Sequence, residues 1–546
     1  MGKNGDWEQF SEELRRKAEQ LDASWDAEQA LRGRKDDAHA AAERIGQRQI
    51  PSQRPTPAQP QRATPPQRSV PSQRQPQARP ARKAPSRKRR VNWKGYGVLA
   101  LIAAIIIAAF ILLISLIVKA VKPKKATPPA TTIPTTTVEA TQSPEERAAE
   151  LIGQADRLAV TYDYDGALAT LAQFGSDWET QPQLAAAKAD YEQKKGELVR
   201  WKDTTTIPHV SYHSLIVDTE RAFDGDSDQD GYNQYMTTVK EFRAMLQQMY
   251  DRGFVLVSIH DIAKAVTAED GTTTYEQGEI YLPEGKKPLV LSQTDLNYYE
   301  YMVDGDGDHT PDAKGDGFAN RLMIDENGDP TCAYVTADGK TVYGEYDLVP
   351  ILESFIKEHP DFSYRGARAL LAVTGYEGVL GYQTHPKWQE TLGEDAYMAQ
   401  VRQAQAVAQC LREHGYEFAS HSFAHIGYGN NSATDVSDDV QKWDTQVKPI
   451  VGETDVLIYP YGNDIGGIEK YSGDKFDTLY AAGFRFFCNA DASTTAWVQI
   501  RSGYVRQARR NADGYRMQWM PDALSDLFDV SQVFDEARPT PVPSIV

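Results

Sequence analysis

The chain has 546 residues and a net charge of −18, unevenly spread: residues 51–94 hold twelve Lys/Arg and no Asp/Glu, whereas residues 126–546 carry about −32. The length exceeds a single core and fits roughly three or four units. The acidic bulk gives no electrostatic basis for nucleic-acid binding, and three cysteines (Cys332, Cys410, Cys488) cannot build a disulfide framework.

Taken in chain order, residues 1–95 read as a cytoplasmic tail. Trp7, Phe10, Leu14, Leu21 and Trp25 recur at spacings of three, four or seven, which predicts an amphipathic helix within 6–45. Residues 50–90 are rich in Pro, Gln, Arg and Ser and are expected to be disordered. Residues 96–118, YGVLALIAAIIIAAFILLISLIV, carry no charge and are almost wholly apolar. A helix crossing a bilayer needs about 20 such residues, so a single transmembrane helix is expected. The run lies far from Met1 and lacks a small-residue cleavage site, unlike a signal peptide. Eight Lys/Arg precede it in 79–94, which sets the N-terminus inside and the acidic bulk outside. The location expected is therefore the cell membrane of a bacterium, with the C-terminal part on its outer side. Residues 119–145 form a Thr/Pro-rich linker.

Residues 146–203 are expected to form a small helical hairpin. Its apolar stripes are Leu151/Ala155/Leu158/Tyr162, Ala167/Leu168/Leu171/Phe174 and Leu184/Ala187/Tyr191/Leu198/Trp201. The pattern resembles one and a half tetratricopeptide repeats, a stalk or cap with a protein partner as the sharper alternative. From about 205 to 535, strand-like runs alternate with helical ones. The strands are HVSYHSLIV, FVLVSI, KPLVLSQT, ALLAVT, YEFASHS, DVLIYPYG and FRFFCNA; the helices are 237–252, 347–358, 394–414 and 474–482. Seven strands in such alternation predict an α/β fold, a distorted (β/α) barrel or a doubly wound sheet. Residues 536–546 read as a flexible tail. The runs DSDQDG (226–231) and DGDGD (304–308) have half of a calcium-loop pattern, and surface turns are the plainer reading.

Chemistry gathers at the predicted strand ends, where barrels place it. Asp295 ends KPLVLSQTD, and ASHSFAH brings His421 and His425 four residues apart. One carboxylate and two imidazoles are a compact N/O set for a divalent metal, zinc first, with cobalt, nickel or manganese as alternatives. The paired Tyr298 and Tyr299, directly after Asp295, offer rings to a sugar.

These segments resemble the polysaccharide deacetylases of the NodB-homology class over roughly 207–530. HSFAH fits the family's His-Ser/Thr-x-x-His motif, and YPYG (459–462) is similar to its Arg-x-Pro-Tyr-Gly motif. VLSQTDLNYY falls where the family has Thr-Phe-Asp-Asp-Gly. The resemblance implies a distorted (β/α) barrel, a divalent metal held by Asp295, His421 and His425, and removal of acetyl groups from sugars. It implies a loop-supporting role for Ser422. It also implies an oxyanion-binding backbone N–H at Tyr461, whose turn Pro460 sets by lacking an N–H of its own.

The departures fall on proton transfer. The family's general-base Asp is here Thr294, which cannot take a proton from water near neutral pH. No His follows His425 to match the late general-acid His, and Tyr459 replaces the Arg before the Pro. Substitutes within the sequence are Asp491, Asp513 and the cluster Arg506, Arg509 and Arg510, which offers charge to an oxyanion or an acidic sugar. The expected function is a membrane-anchored, metal-dependent deacetylase of a cell-wall polysaccharide or exopolysaccharide. The alternative is a catalytically impaired relative that binds glycan or an envelope partner.

Overall fold

The computed structural model describes residues 143–491 and 495–544. The predicted cytoplasmic helix, the basic segment and the apolar run 96–118 lie outside the described residues. Among those described, no helix is long and apolar enough to cross a membrane.

Seven parallel strands close into a barrel. They are β1 (His209–Tyr212), β2 (Lys287–Gln293), β3 (Leu370–Val373), β4 (Glu417–Ser420), β5 (Val456–Ile458), β6 (Phe486–Ala490) and β7 (Val505–Asn511). The ring runs β3-β4-β5-β6-β7-β1-β2, and β2 pairs back to β3 through Ser292↔Leu370 and Gln293↔Leu371. Closure leaves these strands without an open edge.

Six of the predicted strands lie in this ring. The seventh, FVLVSI, does not. Phe254–Leu256 pairs with the first residues of β2, Lys287–Leu289, makes one further bridge from Leu256 to Ser363, and stands beside the ring. The place it was expected to fill belongs to β7, VRQARRN, whose five charged or amide side chains in seven residues hide a strand. The physical reason is pairing on the outward face: Arg506 meets Asp464 at 2.6 Å and Arg510 meets Asp526 at 2.7 Å.

Alternation along each strand sorts the two faces. Val290, Leu370, Ala372, Ala419, Val456, Ile458, Phe486, Cys488 and Val505 form one apolar cluster filling the barrel. Leu289, Leu291, Leu371 and Val373 face the other way and join a larger cluster under the surrounding helices. Those helices include α4 (Val239–Asp251), α5 (Leu348–Glu358), α6 (Glu394–Glu413) and α7 (Ala433–Gln446), while α8 (Asp474–Ala481) packs in a separate cluster through Leu479; each lies within two residues of the sequence expectation at each end where one was made. All three cysteines are free and buried.

Before the barrel, α1 (Pro144–Ala159), α2 (Tyr164–Leu171) and α3 (Pro182–Gly196) pack around Ala148, Ala155, Ala167, Leu171, Leu184 and Tyr191. The predicted stripes are thus three helices rather than a two-helix hairpin. Pro182 starts α3 at a position where a missing N–H costs nothing. Between β2 and β3 a meander of Ala319–Ile324, Pro330–Val335 and Thr341–Gly344 is inserted.

The segment expected to be a flexible tail is held down as far as it is described. Arg538 is fully buried against Glu241, Asn233 Nδ2 donates to the Pro539 carbonyl at 2.8 Å, and Trp519 Nε1 donates to the Val542 carbonyl at 3.0 Å. Glu241 lies on α4, almost 300 residues away, which is why local composition could not reveal the anchor.

At the opposite end of the barrel from the predicted site, His260 bridges two strand starts. Its Nδ1 lies 2.6 Å from Glu417 Oε1 and its Nε2 2.8 Å from Asp455 Oδ1. Burial acts to lower its pKa, but the hydrogen bonds to Asp455 and Glu417 outweigh this and raise it to about 10. A raised folded-state value stabilises fully below the unfolded value, about 6.5, and that contribution fades as pH rises through about 10. We expect the wild type to lose its Tm advantage over His260→Ala between those limits. A Tm difference that stays constant across that range would refute the bridge. The imidazole is 43% exposed, so solvent screens the effect.

Candidate metal and catalytic centre

The C-terminal ends of β2, β4 and β5 deliver the expected residues to one place. Asp295 follows β2, His421 follows β4 directly, His425 closes the loop after it, and Tyr461 lies in the turn after β5. Asp295, Ser422, His425 and Tyr461 all have positive φ (58°, 56°, 53° and 56°). Non-glycine residues in that region cost of order 1–3 kcal/mol each and persist where surrounding contacts enforce them.

Those contacts are visible. Ser422 Oγ accepts from the Ile426 N–H at 2.9 Å, closing the HSFAH loop. Asp439, buried on α7, accepts from the Phe423 and Ala424 N–H groups at 2.7 and 2.9 Å and from the Tyr428 hydroxyl at 2.7 Å. Asn297 clasps Thr374 at the end of β3, accepting its N–H at 3.0 Å and donating to its carbonyl at 2.9 Å. That clasp holds the turn carrying Asp295.

His421 is 2% exposed, and its Nδ1 donates to the Ile458 carbonyl at 2.8 Å. A carbonyl only accepts, so the neutral ring carries its lone pair on Nε2. That Nε2 lies 3.5 Å from Asp295 Oδ2, and His425 Nε2 lies 3.5 Å from Asp295 Oδ1. Donors about 2.0–2.1 Å from a tetrahedral ion sit roughly 3.3–3.5 Å apart, so the three residues fit one divalent cation. Burial pushes His425 down to about 4, which keeps its imidazole neutral and able to ligate at neutral pH.

Two neighbours complete the centre. The Tyr299 hydroxyl donates to Asp295 Oδ1 at 2.7 Å and lies 2.9 Å from Thr374 Oγ1. Outer contacts of this kind orient a ligand carboxylate. His213 puts Nε2 4.0 Å from Asp295 Oδ2 while its Nδ1 donates to the Tyr235 carbonyl at 3.1 Å. Burial lowers its pKa, so Nε2 is an unprotonated acceptor facing the centre. The signal in sequence was its place two residues beyond Ser211 and four beyond His209, on the inward parity of β1.

The other expected residues take varied positions. Thr294 is buried, with its N–H and Oγ1 on the Tyr212 carbonyl at 2.9 and 3.4 Å. The Tyr461 ring lies tilted against that of His425, with centroids 4.5 Å apart, and the Tyr461 N–H makes no hydrogen bond among the described residues. Pro460 is buried beneath it. Asp491 stands at the end of β6 with its N–H on the Arg509 carbonyl at 3.0 Å. Asp513 accepts from Arg516 at 3.0 Å.

Two expectations need correcting. Tyr298 is a core residue: it is 4% exposed, and its hydroxyl donates to Asp347 at 2.7 Å, because its own positive φ turns it under the rim. Arg510 faces outward and grips both Asp526 oxygens at 2.7 and 2.9 Å, away from Asp295. Strand parity places Arg509 on the inward face instead. Tyr301, 42% exposed and stacked 6.0 Å from Tyr299, is the ring that solvent reaches.

No protein-family model matches the chain, and no curated protein matches it. Among solved structures the chain is similar to the Streptococcus pyogenes deacetylase PplD in complex with acetate, at 13% identity and a TM-score of 0.27, over 57% of this chain and 92% of that one.

Proposed function

We propose that this chain is a membrane-anchored, metal-dependent deacetylase acting on N-acetyl groups of a cell-envelope polysaccharide. The observation that carries the reading is the fit of Asp295, His421 and His425 to one divalent ion at the C-terminal mouth of a closed parallel barrel. The mixed N/O donor set suits zinc first, with cobalt, nickel or manganese as alternatives. Such an ion would polarise an acyl oxygen and lower the pKa of a water.

The chain's own groups supply the rest. His213 Nε2 takes the water's proton, the role Thr294 cannot fill. The free Tyr461 N–H donates to the developing oxyanion. The Tyr299 hydroxyl holds Asp295 in orientation, and Tyr301 offers a face to a sugar ring. The apolar run 96–118 anchors the chain, and the glycan of the cell wall or an exopolysaccharide is its partner.

The test is acetate release by the full-length chain from peptidoglycan and from N-acetylglucosamine oligomers, with added zinc. We expect release by the wild type, and a drop of about 10²–10⁴-fold in His213→Ala with zinc content unchanged. Undiminished release by His213→Ala would remove it from the mechanism. Thr294, the one replaced base, favours a second reading in which the barrel binds glycan without turnover. That reading expects zinc binding but no acetate from the wild type, with release appearing only in Thr294→Asp.

A further inference from the structure

Three arginines lie within five residues of β7, and their fates differ. Arg506 and Arg510 face outward and meet Asp464 and Asp526. Arg509 faces inward, at 4% exposure, and makes no ion pair or side-chain hydrogen bond among the described residues; its Nε is enclosed without an acceptor. Burial lowers its guanidinium to about 10, with the attraction of Cys488 and Asp295 opposing, so it stays charged at neutral pH. A buried, unpaired charge carries a large desolvation cost that native proteins offset with a partner.

Arg509 has the surroundings of a receptor. Strand register sets it beside His209, which is 1% exposed and whose Nδ1 is engaged by Gln507 Oε1 at 3.0 Å, leaving Nε2 without a partner. On the next inward face, Ser292 Oγ is likewise buried and unpartnered. These three groups sit on the neighbouring strands β7, β1 and β2, below the centre that holds Asp295 and His213. A buried guanidinium and a buried hydroxyl on neighbouring strands, both without a protein acceptor, match an oxyanion of the carboxylate or phosphate type.

We propose that Arg509 anchors an anionic group, a carboxylate or phosphate, inside the mouth of the barrel. The inference deepens the deacetylase reading by adding an acidic feature to what the site takes. Either the glycan carries the anion as a substituent, or a free carboxylate such as the released product occupies the anchor.

The test follows Tm of the full-length chain in detergent, with metal chelated, so that it stands apart from turnover. The probes are acetate, inorganic phosphate, N-acetylmuramic acid and neutral N-acetylglucosamine, at matched ionic strength. We expect anions to raise the wild-type Tm by at least about 3 °C, and the neutral sugar not to. Arg509→Gln should lose that response while its anion-free Tm rises, since an unpaired buried charge has gone. Arg510→Gln should keep the response and lose Tm, because it strands Asp526. A larger shift with N-acetylmuramic acid assigns the anion to the glycan; a shift with acetate and phosphate alone assigns it to a free anion. An absent anion response in the wild type, or an Arg509→Gln chain that melts lower and still responds, overturns the proposal. Zinc content measured on the same preparations before chelation separates that failure from failure of the metal centre.

Discussion

His421→Ala is expected to release the metal and reduce acetate production to the level of the chelator-treated wild type. The ring is almost fully enclosed, and its ligating nitrogen is fixed by the Nδ1 hydrogen bond to the Ile458 carbonyl. His425 already occupies the second position, and His213 Nε2, 4.0 Å from Asp295 against 3.5 Å for each of the other two imidazoles, serves instead as the proposed base. Losing an outer-shell partner typically costs 10- to 100-fold in affinity or activity, so losing a ligand should exceed about 10³-fold. Metal analysis after gel filtration and acetate release are read together. A variant that keeps stoichiometric zinc would show that the donors lie elsewhere. Tyr299→Phe, which removes only the hydrogen bond to Asp295, should fall within the smaller range.

Arg538→Ala is expected to have the largest effect on stability. The guanidinium and the Glu241 carboxylate are both completely buried, 2.6 Å apart, with a second contact from Nε at 2.9 Å. Arg538 also donates to the Asn233 and Met236 carbonyls at 2.7 and 2.8 Å. Glu241 in turn accepts from the Thr238 N–H at 2.8 Å, capping α4, and from the Asp535 N–H at 3.0 Å. Removing the arginine leaves a carboxylate without its counter-charge in an environment closed to water. Such a loss costs about 3–5 kcal/mol, measured as a shift in the urea midpoint at unchanged slope. Glu241→Gln in the same chain should restore part of it, because the stranded charge is then gone. A loss within about 1 kcal/mol would put the pair in the class of surface bridges instead.

The repeating framework and the candidate metal-binding residues were both legible from the amino-acid order. Runs such as KPLVLSQT and ALLAVT are strands because their residues suit both faces of a parallel sheet, buried inside and out. The helices between them follow from amphipathic spacing, and α4 and α7 carry capping boxes at Thr238/Glu241 and Ser432/Asp435. HSFAH was legible because His421 and His425 lie on one short loop, where spacing alone limits their separation.

The remaining features emerge on folding, since each depends on partners far away in the chain. A strand as polar as VRQARRN becomes a barrel stave because Asp464 and Asp526 come from other loops to meet its outward arginines. FVLVSI has the better strand composition yet stands beside the ring, because β2 gives its later residues to β3. His213 enters the centre only when β1 is laid against β2, more than seventy residues later. The tail is held by a carboxylate on α4 that no local pattern reveals. Charge and hydrogen bonding act over a few ångströms in space, at any distance in sequence. Periodicity records only neighbours, so it showed which residues face inward and left open which ones meet.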